Sequence, residues 1–478
     1  MASVSTLPAH RWLSEPLLAF HPERDEDSHV HPLEGLLEYG PYSRSLMSQM
    51  YDPLRVAAIY PFGMGRRIDG LLKEMEQQHL PQERRAYLRP FPGFSRVFGL
   101  RVVRAPDGVQ VELPSSLGGE IARSKQPHQL LAERLTHALS SLQSQRNEFD
   151  LVMILLPDEW QVCFRGGADE DFDLHDYLKA ITAARGLPMQ IVVEGGALKY
   201  HCRASVMWRL GIAMYCKAGG VPWKLAHTDP ETAFVGISYA LRLDDAGRMR
   251  FWTCCSQVFD ADGAGLEFLA YEPDGIRVEH DNPYLNRTEM RRVMARSLAL
   301  YQKRHTGRKP KRVIVHKTTP FQHDEVDGCF DAWSGIEGLE LIQVQQDVPW
   351  RGIHYEAPSN AGQPVPGNYP CLRGSQVALG GRDVLLWTQG DAPTAVGSGH
   401  FYKEGKGIPS PLLMTRFAGH GSWDDNSRSV LALSKMNWNN DSLYDRLPVT
   451  MSYAGILART LKRMPQLSPL PYQFRYFM

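Results

Sequence analysis

Between residues 54 and 220 short apolar runs alternate with segments of helical period, and this alternation confines the chain to a parallel sheet flanked by helices. LRVAAIYPFG (54–63) reads as a buried strand ending in a Pro/Gly turn, and RRIDGLLKEMEQQ (66–78) as the helix that follows. FPGFSRVFGLRVVRA (91–105) holds one or two further strands. In PHQLLAERLTHALSSLQSQ (127–145), Leu130, Leu131, Leu135, Ala138 and Leu142 recur at helical spacing. FDLVMILLPDEW (149–160) is an apolar run bounded by Asp150 and Pro157, as in a strand covered on both faces. A helix over 173–186, a strand over 187–194 and a helix over 205–220 complete a Rossmann-like layout.

PWKLAHTDPET (222–232) carries two prolines and ends this order. Three strands follow as a meander, over 233–242, 248–259 and 265–273. Then come a helix (286–305), a strand (311–319), a helix (321–333) and a strand (339–346). That sequence of elements is the order of an RNase H-like fold. Further strands fall near 383–388 and 410–419, and two helices near 429–439 and 451–464 close the pattern. The fold class is therefore α/β, with a Rossmann-like lobe over 46–225 and an RNase H-like lobe over 226–478. Residues 1–45, rich in Pro, His and acidic side chains, read as an extended arm packed on the rest.

The 53 basic and 53 acidic residues cancel, so a nucleic-acid site has to be a local basic pocket and not a general cationic surface. The seven cysteines are scattered and form no CxxC pair, which points to reduced thiols and excludes a zinc or disulfide framework. The start of the sequence has no basic segment followed by an apolar run, and no stretch reaches a membrane-spanning length. A cytoplasmic protein with no membrane partner is expected.

Four polar residues stand out in the first lobe. His175 and Lys179 are four apart and share a helix face; Gln190 opens the next strand; Lys217 ends the next helix. Lys217 continues the apolar stripe of Val206, Leu210, Ala213 and Met214, and a lysine on a buried face needs a partner or a bound anion. Converging at one edge of the sheet, these donors suit a phosphate. The plainer reading makes Lys179 a solvated lysine and His175 a helix cap.

HDYLK, GLPMQIVV and MYCKAGGVPWKL resemble the 5′-phosphate pocket of the MID domain of Argonaute proteins. The resemblance implies that His175, Lys179, Gln190 and Lys217 bind the 5′ phosphate of a guide strand. It also implies that the terminal carboxylate of Met478 reaches the pocket through a Mg2+ ion. From residue 230 on, FVGISY, RVIVHKTTPF, SPLLMTRFAG, LALSKMNWNN and LPVTMSYAGILA resemble the PIWI domain, in the family's order.

The departures matter as much. Cleaving members place carboxylates, or a histidine, where this chain has Ser238, Thr318 and Gly455. Glu289 lies near the glutamate-finger region, but one carboxylate cannot hold two divalent cations. The resemblance thus implies a guide-binding protein that does not cleave. The residues before Leu54 leave no room for a PAZ domain, which points to the short prokaryotic class. That class implies a small guide RNA, a complementary single-stranded DNA target of plasmid or phage, and an APAZ-containing effector partner. The partner is expected to be sirtuin-like, with TIR as the alternative, and to deplete NAD in antiviral defence. The assembly expected is a heterodimer that oligomerises further on activation. A metal-dependent guided nuclease and a scaffold that only restrains the effector are the rival readings.

Other features are read as structural. Asp244, Asp245, Asp424 and Asp425 are paired loop acids rather than a relocated metal site. QKRHTGRKPKR (302–312) is a basic loop that could track a nucleic-acid backbone or simply be solvated. PFGMGRR (61–67) lacks P-loop spacing and is a strand-to-helix turn. His316 is a core histidine, and Trp208, Trp223 and Trp438 are packing residues.

Overall fold

The computed structural model of the chain describes residues 9–46, 52–167, 170, 172–243, 249–265, 267–274, 276–280, 282–356, 362–396, 399–402, 407–462 and 471–478, with the backbone alone described at 240–243, 249–258 and 271. The first lobe is built on β1 (Leu54–Tyr60) and α1 (Gly65–Met75), followed by β2 (Val102–Arg104), β3 (Gln110–Glu112) and α2 (Pro127–Gln143). β4 (Leu151–Leu156), α3 (Leu174–Ala184), β5 (Met189–Val193) and α4 (Arg203–Lys217) complete it. All pairings in its sheet are parallel. β2 and β3 share one side of β1, β4 lies on the other, and β5 is the far edge. β4 is buried along its whole length, as its unbroken apolar run requires. α1 buries Ile68, Leu71, Leu72 and Met75, the spacing of one helical face.

Two details of the first lobe differ from the sequence reading. Residues 91–105 hold one strand, because Phe94–Phe98 is a short helix. Gly93 and Gly99, at φ 119° and 73°, bracket that turn, and its aromatic side chains pack inward. Phe98 stacks on Tyr215 at 4.9 Å, and the neighbouring Phe91 meets Trp208 edge-on at 5.2 Å. Tertiary aromatic packing overrides a strand-favouring composition here. In α4, every residue except Arg203 and Arg209 is buried, so Lys217 is enclosed from all sides and does not merely extend one stripe.

The second lobe opens with the meander β6 (Thr232–Leu243), β7 (Met249–Asp260) and β8 (Glu267–Tyr271). α5 (Arg287–Arg304), β9 (Arg312–Lys317), α6 (His323–Ala332) and β10 (Gly338–Gln345) follow, then β11 (Ser375–Ala378), β12 (Asp383–Leu386) and β13 (Leu412–Ala418). α7 (Trp423–Leu433), α8 (Val449–Leu461) and β14 (Tyr472–Gln473) end the order. β6, β9 and β10 are mutually parallel at the centre of a ten-stranded sheet whose other pairings are antiparallel. The helix expected near 429–439 lies six residues earlier; the Ser422 side chain accepts from Asp424 N–H, and Asp424 and Asp425 occupy its first turn. After it the chain turns through a loop in which Asn437 and Asn440 donate to Asp445 at 2.5 and 3.2 Å.

The N-terminal arm is woven through both lobes. His10–Trp12 pairs with β11 at the sheet edge, and Leu18–Ala19 pairs with Lys224–Leu225 near the junction of the two lobes. Between these contacts the Glu15 carboxylate sits inside the protein against Arg373 at 2.9 Å and Lys435 at 3.0 Å. Burial alone would push the Glu15 carboxyl up, but the two cations outweigh it and hold it below its ordinary value. Glu15→Ala leaves Arg373 and Lys435 buried without their carboxylate and is expected to destabilise the protein by about 3–5 kcal/mol in chemical denaturation. A loss under about 1 kcal/mol would mean that the arm is not part of the cooperative fold.

Candidate nucleic-acid interface

α3 starts where the Asp173 side chain accepts the Asp176 N–H at 3.0 Å, and this cap fixes the helix register. His175 stands in the first turn with 54% of its side chain exposed. One turn on, Lys179 is buried, 4% exposed, and donates to the Phe477 carbonyl at 2.9 Å. Lys217, 3% exposed, donates to Gln190 Oε1 at 2.5 Å, and Gln190 Nε2 donates to the Ile191 carbonyl at 2.9 Å. Among the described residues neither lysine has a carboxylate within ion-pairing distance. Burial pushes Lys179 down to about 8, and it pushes Lys217 well below its ordinary value, with the Lys179 charge adding to the effect.

The four expected residues are therefore brought together, but not at the strand ends where ligands of parallel sheets usually sit. Gln190 is the second residue of β5 and Lys217 the last of α4, so the pocket opens at the amino end of the edge strand. That end receives the negative pole of α4, where an anion is disfavoured and a lysine is stabilised. Beside Lys217, positive charge comes from side chains and not from the dipole of α4.

The last residues of the sequence form the remaining wall. β14 pairs with β8, placing Phe268 opposite Tyr472 and stacking the two rings at 5.1 Å. Phe477 meets Phe268 edge-on at 4.6 Å, and Phe474 packs on Tyr453 of α8. Arg475 lies against Gly219 just beyond Lys217, and Tyr476 against Gly186 before β5. Each pocket element thus meets one tail residue. Met478 is buried at the end of this run, and it is the Phe477 carbonyl that Lys179 holds. Arg459 of α8 approaches Asp176 at 3.9 Å, another link between the lobes at the pocket mouth. The role of residues 475–477 as wall was not legible in the sequence, where the resemblance brought only the Met478 carboxylate to the pocket.

In the second lobe Ser238, Thr318 and Gly455 also meet. The β6–β9 ladder ends at Ile237 and Lys317, so Ser238, midway along β6, and Thr318, just past β9, are the next residue of each strand. Ser238 Oγ donates to the Ala454 carbonyl at 2.8 Å, which puts Gly455 beside them. Glu289 is buried in the first turn of α5 and paired with Arg292 at 2.9 Å. Asp424 pairs with Arg11, and Asp244 and Asp245 lie outside the described residues. Among the described residues the one group of three side chains with metal-ligand spacing is Asp173, His175 and Asp176, in the first lobe.

The solved structures similar to this chain share one architecture. Clostridium butyricum Argonaute bound to a guide DNA and a 19-mer target DNA aligns with 96% of this chain and 53% of its own, at TM-score 0.61 and 16% identity. Aa-Ago with externally bound siRNA aligns with 98% of this chain and 56% of its own, at TM-score 0.63 and 16% identity. Drosophila Piwi does so over 98% and 56%, at TM-score 0.62 and 15% identity. The chain has an Argonaute fold. It spans just over half the length of these structures. No family model matches the sequence, and no curated protein matches it.

Within the Argonaute fold the other sequence features have plain places. PFGMGRR is a strand-to-helix turn, with Gly63 at φ 76° and α1 starting at Gly65. In the basic loop after α5, His305 pairs with Asp260 at 3.1 Å and Lys311 with Glu231 at 2.6 Å, so part of its charge is matched locally. His316 is fully buried, pushed down to about 4 by that burial, and bonded to Thr450 Oγ1 at 2.8 Å. Trp208 and Trp223 are core residues, and Trp438 packs at the core edge. Cys163, Cys202, Cys216, Cys329 and Cys371 are free thiols; the side chains of Cys254 and Cys255 are outside the description. Among the described residues no helix is long and apolar enough to cross a membrane.

The buried lysines set a pH dependence. Lys179 titrates near 8 in the free protein, and a bound anion raises that value, so binding above pH 8 requires proton uptake. Affinity for a 5′-phosphorylated oligonucleotide is expected to fall as pH rises through about 8, by up to about tenfold per pH unit for each lysine that must regain its proton. A 5′-hydroxyl oligonucleotide should show no such step. Equal affinities of the phosphorylated strand at pH 7 and pH 9.5, in a fluorescence titration, would remove these lysines from the site.

Proposed function

We propose that the chain is the guide-binding subunit of a short prokaryotic Argonaute system. The observation that carries the reading is the pair of buried lysines, Lys179 and Lys217, with no carboxylate to pair them among the described residues. Two neighbouring ammonium groups in a buried site disfavour one another, and a phosphate dianion with Gln190 and His175 beside it relieves both. A strand anchored there by its 5′ phosphate runs outward between the lobes, and base pairing then supplies target specificity while the protein holds backbone and shape. The guide is a small RNA and the target a complementary single-stranded DNA of plasmid or phage.

A Mg2+ ion fits this pocket through oxygen donors only. Met478 ends one residue beyond the carbonyl held by Lys179, and its terminal carboxylate with the guide phosphate makes the donor set. The ion would screen these two anions from one another. Lys179 and Lys217 would supply cationic donors to the same phosphate.

The chain does not cleave its target: Ser238, Thr318 and Gly455 offer two hydroxyls and no carboxylate where two divalent cations would have to sit. Its output is instead the activation of an APAZ-containing partner in the cytoplasm, sirtuin-like by preference and TIR otherwise, which depletes NAD. The MID lobe then runs over 46–225 and the PIWI lobe over 226–478, behind the arm of 1–45. The complex is a heterodimer that assembles further when target pairs with guide.

The test is to purify the chain from cells, end-label the nucleic acid that accompanies it, and compare Lys179→Ala/Lys217→Ala. Short 5′-phosphorylated RNA is expected on the wild type. The double variant is expected to bind roughly 10²–10⁴-fold more weakly, from two charge-assisted bonds of about 1.5–3 kcal/mol each. RNA content unchanged in the variant removes these lysines from the guide site, and no nucleic acid on either preparation, with the partner present as well, leaves the scaffold reading in its place. Sustained cleavage of a matched strand with Mg2+ or Mn2+ overturns the non-cleaving assignment.

A further inference from the structure

A second cleft lies at the opposite end of the central strands from Ser238 and Thr318. It has a volume of about 530 Å³, within the range of small-molecule sites. Thr232 and Arg312, the paired first residues of β6 and β9, form its base with Phe234. The N-terminal arm contributes Leu17, the junction between the lobes contributes Leu225, and α7 closes the other side. The cleft therefore offers an apolar patch of Phe234, Leu17 and Leu225 beside charged side chains.

The charges are not equivalent. Glu15 is already held between Arg373 and Lys435. Asp229 accepts from Thr232 Oγ1 at 2.8 Å and from the Glu231 N–H at 3.1 Å, so it closes a turn. His227, exposed at the rim, adopts φ 52°. That leaves Arg312, Arg428 and Asp425. Arg312 donates to Asn426 Oδ1 at 2.7 Å and Arg428 only to Ser14 Oγ at 3.5 Å. Among the described residues neither guanidinium has a carboxylate within ion-pairing distance. The Asp425 carboxylate, in the first turn of α7, is exposed.

We propose that this cleft is a second ligand site, taking a nucleotide-sized organic phosphate. Its flat apolar body rests on Phe234, Leu17 and Leu225. Its anionic group bonds to the forks of Arg312 and Arg428, and a hydroxyl or amine donates to Asp425. A simple anion leaves the floor uncovered, and a neutral nucleoside leaves both guanidinium groups unmatched. The arm and the junction both line the cleft, so a bound ligand also ties these segments to the second lobe.

Calorimetric titration of the full chain with AMP tests this, with adenosine and pyrophosphate as half-ligands. AMP also carries a 5′ phosphate, so Lys179→Ala/Lys217→Ala, or wild type preloaded with a 5′-phosphorylated oligonucleotide, keeps the guide pocket out of the measurement. AMP is expected to bind in both preparations. Arg428→Ala, a surface change, should weaken it roughly tenfold or more, and each half-ligand should bind more weakly than AMP. AMP binding lost in both preparations would show that only the guide pocket had been titrated and would overturn the proposal. Pyrophosphate binding as tightly as AMP, or Arg428→Ala without effect, would overturn it equally.

Discussion

Two ammonium groups enclosed side by side without a carboxylate are the constraint around which the first lobe is arranged. Lys179 and Lys217 are as buried as core side chains, and the Lys179 charge adds to the burial that lowers the affinity of Lys217 for a proton. Such a pair is tolerated because every polar contact around it is an acceptor: the Phe477 carbonyl for one and Gln190 Oε1 for the other. An ammonium has three donors, and one acceptor each leaves capacity for an anion. Replacing either acceptor by a carboxylate would satisfy the lysine and close the site to a phosphate. Neutral acceptors hold the geometry while leaving the charge unmatched.

The same pocket explains why both ends of the described chain are tied down. The tail crosses from β8 in the second lobe to α3 in the first, and the arm crosses from β11 to the junction. Asp441, buried in the second lobe, meets Arg84 at 3.2 Å and Arg209 at 3.7 Å in the first. These contacts clamp the lobes at several separated points. The pocket formed by α3, β5, α4 and the tail, proposed above as the phosphate site, keeps its spacing only when the lobes are so clamped, so its geometry and interlobe packing are one property.

Much of this was legible in sequence, for a definable reason. Apolar runs such as LVMILL and helical periods such as that of α2 depend on local burial, which periodicity reports directly. The grouping of His175, Lys179, Gln190 and Lys217 came from the likeness to a MID pocket, since spacing alone left Lys179 as readily a solvated lysine. What failed depended on distant contacts. The helix at Phe94–Phe98 exists because Phe91, Phe94 and Phe98 pack near Trp208 and Tyr215, more than a hundred residues on. The start of α7 was missed because WDDNSR reads as a polar loop until Ser422 is seen capping it. Nor could spacing show that the pocket opens at the amino end of β5, since that needs the direction in which α4 returns. Arg475 and Tyr476 carry no signal at all without the tail's pairing to β8.

Under the non-cleaving assignment proposed above, the contacts made by Ser238, Thr318 and Gly455 are informative. Ser238 donates its hydroxyl to the Ala454 carbonyl at 2.8 Å, fastening β6 to α8. An ionised carboxylate at that position accepts only, and it would face a carbonyl oxygen. Directly before Thr318, Lys317 and Glu325 form a fully enclosed ion pair at 2.5 and 2.6 Å, ringed by Tyr239, Tyr284 and Phe321. Gly455, by contrast, has room, since an added Cβ would meet nothing closer than Arg459 Nη1 at 3.8 Å. Gly455 therefore has steric space for a side chain, while Ser238 is committed to a hydrogen bond. The three positions still converge because the β6–β9 register and the α8 contact serve the core, whatever chemistry the strand ends carry.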